Sequence, residues 1–475
     1  MRRGRSGGPA GIDRLGEPAG DDDPARGGAA DRPRDRRGRP VAGNGTGRAA
    51  GPGRIAARRA AGAPTGVTDG PTAAAGAFVD VSGPPAYGAD QVTVLRGSTF
   101  CISDRHGDIR ARHSEGMFVR DTRILSEWEL RVDGRRTDAL EVFREAATDA
   151  VFVGRVLPET GRADSALTVV RSRAVREGMS ERITVHNYAG CPARVEVALR
   201  ADADLADLFE VKEGRVQARA VRRSAPVAGT LEVMRGTRGV IISADVPGEQ
   251  PAGEGPPQGL RWRVTVPARG QWSVTVRVTA VVDGLPVPVP PREPTASDAG
   301  GRQHVGPFVR TPDAGLARTL RRSVEDLDTL RIHDPSAPGR AVVAAGAPWY
   351  MALFGRDSLL TSWMVLPLDP ALVLDTLHTL ADYQGRLTDP VSEEQPGRIP
   401  HEVRYGPAAP LGFGERNAYY GTADATSLFV ALVGELRRWG HDGPRVRALL
   451  PAVDRALEWV QRYGDTDGDG FVEQG

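Results

Sequence analysis

The chain has 475 residues, with 62 Lys plus Arg against 61 Asp plus Glu, a net charge of +1 and 40% hydrophobic residues. That length predicts more than one domain, and the balanced charge argues against a protein built to neutralise nucleic acid. There is no continuous apolar h-region at the N-terminus and no apolar run long enough for a membrane span, so the expectation is a cytoplasmic protein with neither membrane nor nucleic-acid partners.

Residues 1–77 are rich in Gly, Ala, Pro, Arg and Asp and contain no aromatic residue, with 14 arginines against 8 carboxylates. Such a segment cannot bury enough apolar surface to offset chain entropy and reads as a disordered, solvated basic tail. From residue 78 to 283 short alternating runs follow one another: Gln91 to Asp104, Arg123 to Val132, Ala166 to Arg173, Arg182 to Asn187, Arg194 to Leu199 and Gly239 to Asp245. Period-two alternation broken by Gly, Asp and Asn predicts antiparallel strands and a β-sandwich. The clearest hairpin runs from Leu260 to Thr279 around Pro267-Ala-Arg-Gly270. Cys101 and Cys191 form neither a disulfide framework nor a metal-ligand spacing, and two reduced thiols are expected.

The proline run Pro286 to Pro294 lies in a linker covering 284–310, because successive prolines hold an extended chain and donate no backbone hydrogen bond. Beyond it, over 311–475, the period is helical. Leu316, Leu320, Val324, Leu327 and Leu330 share one face. Further helices are expected over Arg356 to Val365, Pro370 to Gln384, Thr422 to Trp439 and Gly443 to Tyr463. Asp369 and Pro370 make a good helix start, and Gly385 suits a left-handed closing residue.

The densest chemistry lies in Gly346 to Ser358. Trp349, Tyr350 and Phe354 offer flat rings for the C–H face of a pyranose, while Asp357 can accept from neighbouring hydroxyls and Arg356 can donate to them through its planar fork. The same residues also suit a core position and a solvated ion pair.

This segment resembles the start of the catalytic domain of glycogen-debranching-type (amylo-α-1,6-glucosidase-like) and trehalase-like glycoside hydrolases, the six-hairpin (α/α)6 superfamily. The resemblance continues in Gly397 to Arg404, Tyr419 to Thr426 and Asp465 to Glu473. The strand-rich region resembles the N-terminal domain of the same family in Leu95 to Phe100, Gly116 to Arg123 and Leu125 to Leu130. It implies an antiparallel β-sandwich followed by a partial (α/α)6 toroid, with glucosyl-containing oligo- or polysaccharide as substrate and α-glucosidic bonds cut by an inverting two-carboxylate mechanism. Only about five helices fit before Gly475, so the catalytic domain is expected to be incomplete. The general acid and base are then expected beyond Gly475, and the alternative is an inactive remnant or a carbohydrate-binding module.

Within the matching segments, His401 and Glu402 suit a loop at the sugar site, with a backbone hydrogen bond as the other role for His401. Tyr419 and Tyr420 place rings beside the Asp424 carboxylate, whereas Thr422 could simply cap the helix. The cluster Arg120 to Arg123 reads as a strand-edge ion-pair group fixing the sandwich against its neighbour, or as a second chemical site. Asp465, Asp467, Asp469 and Glu473 have the one-three-five-nine spacing of a calcium loop with Gly470 at the sixth position, and equally fit a polar turn. A structural Ca2+ is the one metal the sequence suggests, and no cofactor is required.

Overall fold

The computed structural model describes residues 91–473, apart from 112–113, 158–164, 250–257, 288–310, 405 and 407–416. The expected tail, the first residues of the expected sandwich and most of the proline linker lie outside the described residues.

The first four strands, β1 (Val92–Arg96), β2 (Thr99–Ser103), β3 (Gly116–Val119) and β4 (Thr122–Leu125), form an antiparallel meander. Two further antiparallel sheets follow. One joins Gly259–Val266, Ala193–Asp202 and Glu127–Val132; the other has nine strands centred on Met179–Asn187 and Gln271–Val282. Alternation drives both: in Met179–Asn187 every second residue, Met179, Glu181, Ile183, Val185 and Asn187, is buried. Their inward residues, among them Trp128, Leu199, Trp262, Ile183 and Val276, share one core.

The expected hairpin at 260–279 is not one. Gly259–Val266 pairs with Ala193–Asp202, whereas Gln271–Val282 pairs with Met179–Asn187 and Arg238–Ala244 in the other sheet. The turn from Pro267 to Gly270 closes on its own carbonyl at 3.1 Å and carries the chain across the core. Both arms are apolar on one face, and separating them lets those faces oppose each other, with Trp262 and Trp272 at a ring-centroid distance of 6.0 Å. Burying each large side chain there stabilises the fold by about 1.5–3 kcal/mol, which outweighs local pairing.

Inside this core lies a charge network that the strand pattern concealed. Glu181 accepts from Arg171 Nε at 2.7 Å, from Arg173 Nε at 2.7 Å and from the Trp128 indole at 3.2 Å. Asp108 accepts from Arg171 Nη1 at 2.6 Å and from the Leu130 amide at 3.1 Å. Burial alone would raise both carboxyls, but the guanidiniums hold them below the usual range.

The short helix α1 (Leu208–Lys212) is closed by a capping box between Asp207 and Glu210. The later part carries α2 (Ala314–Thr329), α3 (Gly355–Val365), α4 (Pro370–Asp382), α5 (Asp424–Arg438), α6 (Pro444–Arg447) and α7 (Leu450–Trp459). The helix expected over 443–463 is interrupted: α7 restarts with a proline in its first turn, where the missing N–H costs nothing, and runs into a π turn over Val460–Gly464. The Leu316 end of the expected α2 stripe is exposed, and only Leu327 and Leu330 pack on the core. Asp369 caps α4 as expected, accepting from the Leu372 amide at 3.0 Å. Gly385 is not left-handed; it is needed because a Cβ there would stand 2.2 Å from the Gln395 carbonyl oxygen.

The second core joins the two parts. Phe100, Ile102, Phe118 and Leu208 share it with Leu359 of α3, Leu377 of α4 and Phe429 of α5. The β3–β4 turn bears on this junction, with Arg120 and Asp121 both at positive φ, 47° and 60°. For non-glycine residues that conformation costs on the order of 1–3 kcal/mol each, so the surroundings must hold it in place.

Candidate functional site

The loop before α3 is pinned by mutual backbone hydrogen bonds between Gly346 and Tyr350, at 2.8 and 3.0 Å. Leu353–Phe354, Glu402–Val403 and Ala418–Tyr419 then form a small antiparallel sheet, so three of the sequence motifs meet at one place. Gly355 makes the approach close enough: a Cβ there would lie 2.2 Å from the Pro400 carbonyl oxygen.

Arg356 and Asp357 sit in the first turn of α3, and Asp424 in the first turn of α5. Arg356 Nη1 donates to Asp424 Oδ2 at 3.1 Å and stands 4.0 Å from Asp357, with the three side chains 50, 37 and 42% exposed. These groups are therefore open to an incoming hydroxyl-rich ligand. Burial would raise the Asp424 carboxyl, but hydrogen bonds from Thr422 and Arg356 hold it below its usual range. Thr422 does not cap the helix: its hydroxyl donates to Asp424 at 2.6 Å, and the capping residue is Ala423.

Beside this triad runs a chain of rings. Tyr350 meets Phe354 edge-on at 5.7 Å, Phe354 meets His401 at 5.6 Å and His401 meets Tyr419 at 5.9 Å. Burial holds the His401 imidazole below its ordinary value against the opposing pull of the Glu402 carboxylate. The Tyr419 hydroxyl donates to Glu393 at 2.7 Å, and burial together with this bond pushes it up to about 12.

Three expected ring platforms are buried instead, Phe354 among them at 6% exposed. Trp349 is 2% exposed and Tyr420 fully buried, the latter donating to the Tyr383 carbonyl at 2.7 Å. Alternation explains the second: of two adjacent tyrosines only one can face the site, and it is Tyr419. Tyr350 is 44% exposed, with the Lys212 ammonium 5.8 Å from its ring centroid. Glu402 is nearly buried and paired with Arg404.

Sequence reasoning overlooked Glu393 and Arg404. Arg404 stands inside a quoted motif, but nothing in the sequence marks Glu393.

The aspartates of the 465–469 loop bring carboxylate oxygens within 4.8 Å of one another. Their side chains also accept from the loop's own backbone, Asp465 from the amides of Gly468 and Gly470 at 2.7 and 3.1 Å. Glu473 does not join them; it accepts from the amide and hydroxyl of Thr466.

No curated protein matches the chain. Among solved structures, a protein assigned as a kojibiose phosphorylase, from the human microbiome, is 8% identical with a TM-score of 0.40, over 79% of this chain and 51% of its own. The chain thus spans about half the length of that protein. A polysaccharide lyase is 11% identical with a TM-score of 0.22, over 80% of this chain and 70% of its own. At such scores neither contributes to the reading of the site. Residues 94–277, the sheet-rich region of the chain, match the family model of the N-terminal domain of some glycogen debranching enzymes.

Proposed function

We propose that the protein acts in carbohydrate metabolism as a glycoside hydrolase of debranching type, and that the site at the heads of α3 and α5 grips a terminal glucosyl unit. The observation that carries this is the half-exposed Arg356–Asp357–Asp424 group beside the accessible rings of Tyr350, His401 and Tyr419, with Phe354 buried behind them. A sugar needs paired acceptors and donors at its rim and flat apolar surface at its face, and both stand together here. The debranching-type N-terminal domain in the same chain supports the same substrate class.

In this reading α3 to α7 are successive hairpins of an (α/α)6 toroid, and residues 78–283 and 311–475 are the sandwich and the toroid portion. Asp424, held ionised, serves as an acceptor for hydroxyls and not as a proton donor. The inverting cleavage of an α-1,6-glucosidic bond, which takes two carboxylates, is the reaction this reading assigns to the protein, and neither carboxylate is assigned to a residue. A cytoplasmic location is part of the proposal; no helix among the described residues is long and apolar enough to cross a membrane. No cofactor enters it, and Ca2+ at Asp465, Asp467 and Asp469 would only brace the loop.

Calorimetric titration of the 475-residue chain with isomaltose and maltotriose, beside an assay for released glucose, tests the reading. Binding is expected, with Asp357→Ala weakening affinity roughly 10- to 150-fold, the worth of a charge-assisted hydrogen bond. Unchanged affinity in Asp357→Ala would remove the site assignment, and no binding of either sugar would remove the substrate class.

A further inference from the structure

Arg404 is 2% exposed and lies behind the Phe354 ring of the candidate site. Its Nε donates to Glu402, its Nη2 to the Trp349 carbonyl at 2.5 Å and its Nη1 to Asp121 at 3.1 Å. The guanidinium carbon lies over two rings, 5.2 Å from the Phe209 centroid on α1 and 5.4 Å from that of Phe354 in the site. One side chain therefore joins the loop before α3, the Glu402 strand, α1 and the β3–β4 turn.

Asp121 is delivered to this point at a structural cost. It stands at positive φ in the turn, its carbonyl accepts from the Leu208 amide at 2.8 Å, and Gly406 presses on it so closely that a Cβ at 406 would lie 2.7 Å from Asp121 Cβ. A non-glycine residue kept in this conformation, with its carboxylate on a buried guanidinium, points to a task for that carboxylate.

We propose that Arg404, set in place by Asp121, is the positioning residue of the candidate sugar site: it backs the Phe354 ring and fixes Glu402, so that the sheet region governs sugar binding from outside the pocket. The guanidinium does this because it is planar and forked. It lies over the Phe354 ring while its edges engage three oxygens in three directions, which a lysine ammonium cannot do. His401 meets Phe354 edge-on, so its ring signals report where Phe354 lies whether or not a sugar is bound.

The proposal rests on the sugar-binding reading, and the experiment separates the two. The full chain and its Asp121→Asn, Arg404→Lys and doubly substituted forms are titrated with isomaltose and maltotriose, with thermal midpoints and the 1H–13C signals of the His401 ring recorded for each. Asp121→Asn is expected to weaken binding about tenfold and to displace the His401 signals, and to add little in the Arg404→Lys background, since coupled residues are not additive. Trp128→Phe, which loosens the sheet core away from the site, should lower the thermal midpoint without changing affinity. Wild-type affinity and unmoved His401 signals in folded Asp121→Asn would overturn the proposal, as would fully additive losses in the double variant. If the unaltered chain binds neither sugar, the sugar reading falls, and the His401 signals alone decide the coupling: displaced signals uphold it and unmoved signals end it.

Discussion

Two arginine–carboxylate groups in this molecule use the same chemistry in opposite surroundings. In the sheet core Arg171, Arg173, Asp108 and Glu181 are all nearly inaccessible and satisfy one another. At the heads of α3 and α5, Arg356, Asp357 and Asp424 form a looser group, each side chain between a third and a half exposed. The first group has no capacity left for a ligand, and its partners cannot be separated without stranding a buried charge. The second gains little from its own pairing and keeps acceptor and donor capacity in reach of solvent. Environment, not residue type, separates a structural ion network from a binding one.

The largest expected effect comes from breaking the buried group. Glu181→Gln leaves two buried guanidiniums short of their shared counter-charge and should cost roughly 3–5 kcal/mol in denaturant unfolding. A loss below about 1 kcal/mol would show that the core tolerates the charge and would erase the contrast.

Acid tests the same group more gently. Asp108 and Glu181 are held below their usual range in the folded chain, so the unfolded chain binds more protons between the two sets of values and stability rises with pH there. Their contribution is fully present above the unfolded carboxylate values, near pH ~4, and is lost as pH falls through the lowered ones. Thermal midpoints below about pH 4 should therefore fall less steeply in Glu181→Gln than in the unaltered chain. Parallel slopes would place the acid sensitivity elsewhere.

The smallest effect on stability is expected at the site itself. Arg356→Ala should change unfolding free energy by no more than about 1 kcal/mol, because an exposed pair contributes little, while affinity for the glucosyl ligand drops in the same preparation. A stability loss comparable to that of Glu181→Gln would make Arg356 a structural residue.

Much of the architecture was legible in local pattern. Alternation located many of the strands between Val92 and Val282, though not Asp138–Ala146, Asp149–Arg155 or Thr230–Arg235, and the Asp369–Pro370 pair located the start of α4, because burial period and capping are properties of neighbouring residues. Three of the four motifs likewise singled out Arg356, Asp357, His401 and Asp424, which the fold does bring together. Pairing and facing were less legible. The inward register of Arg171, Arg173 and Glu181 runs against the rule that charges face out, and it holds only because three charges meet across two neighbouring strands.

By itself the sequence determined where strands give way to helices and which segments concentrate aromatic rings beside charged groups, since both are written within a few residues of chain. Only the tertiary structure decided that the arms of 260–279 enter different sheets, that Trp349 and Tyr420 belong to the core while Tyr419 faces the site, and that Arg404 meets Asp121 across 283 positions. Those outcomes depend on which distant surfaces can exclude water together and which distant charges can neutralise one another. No local window contains both partners.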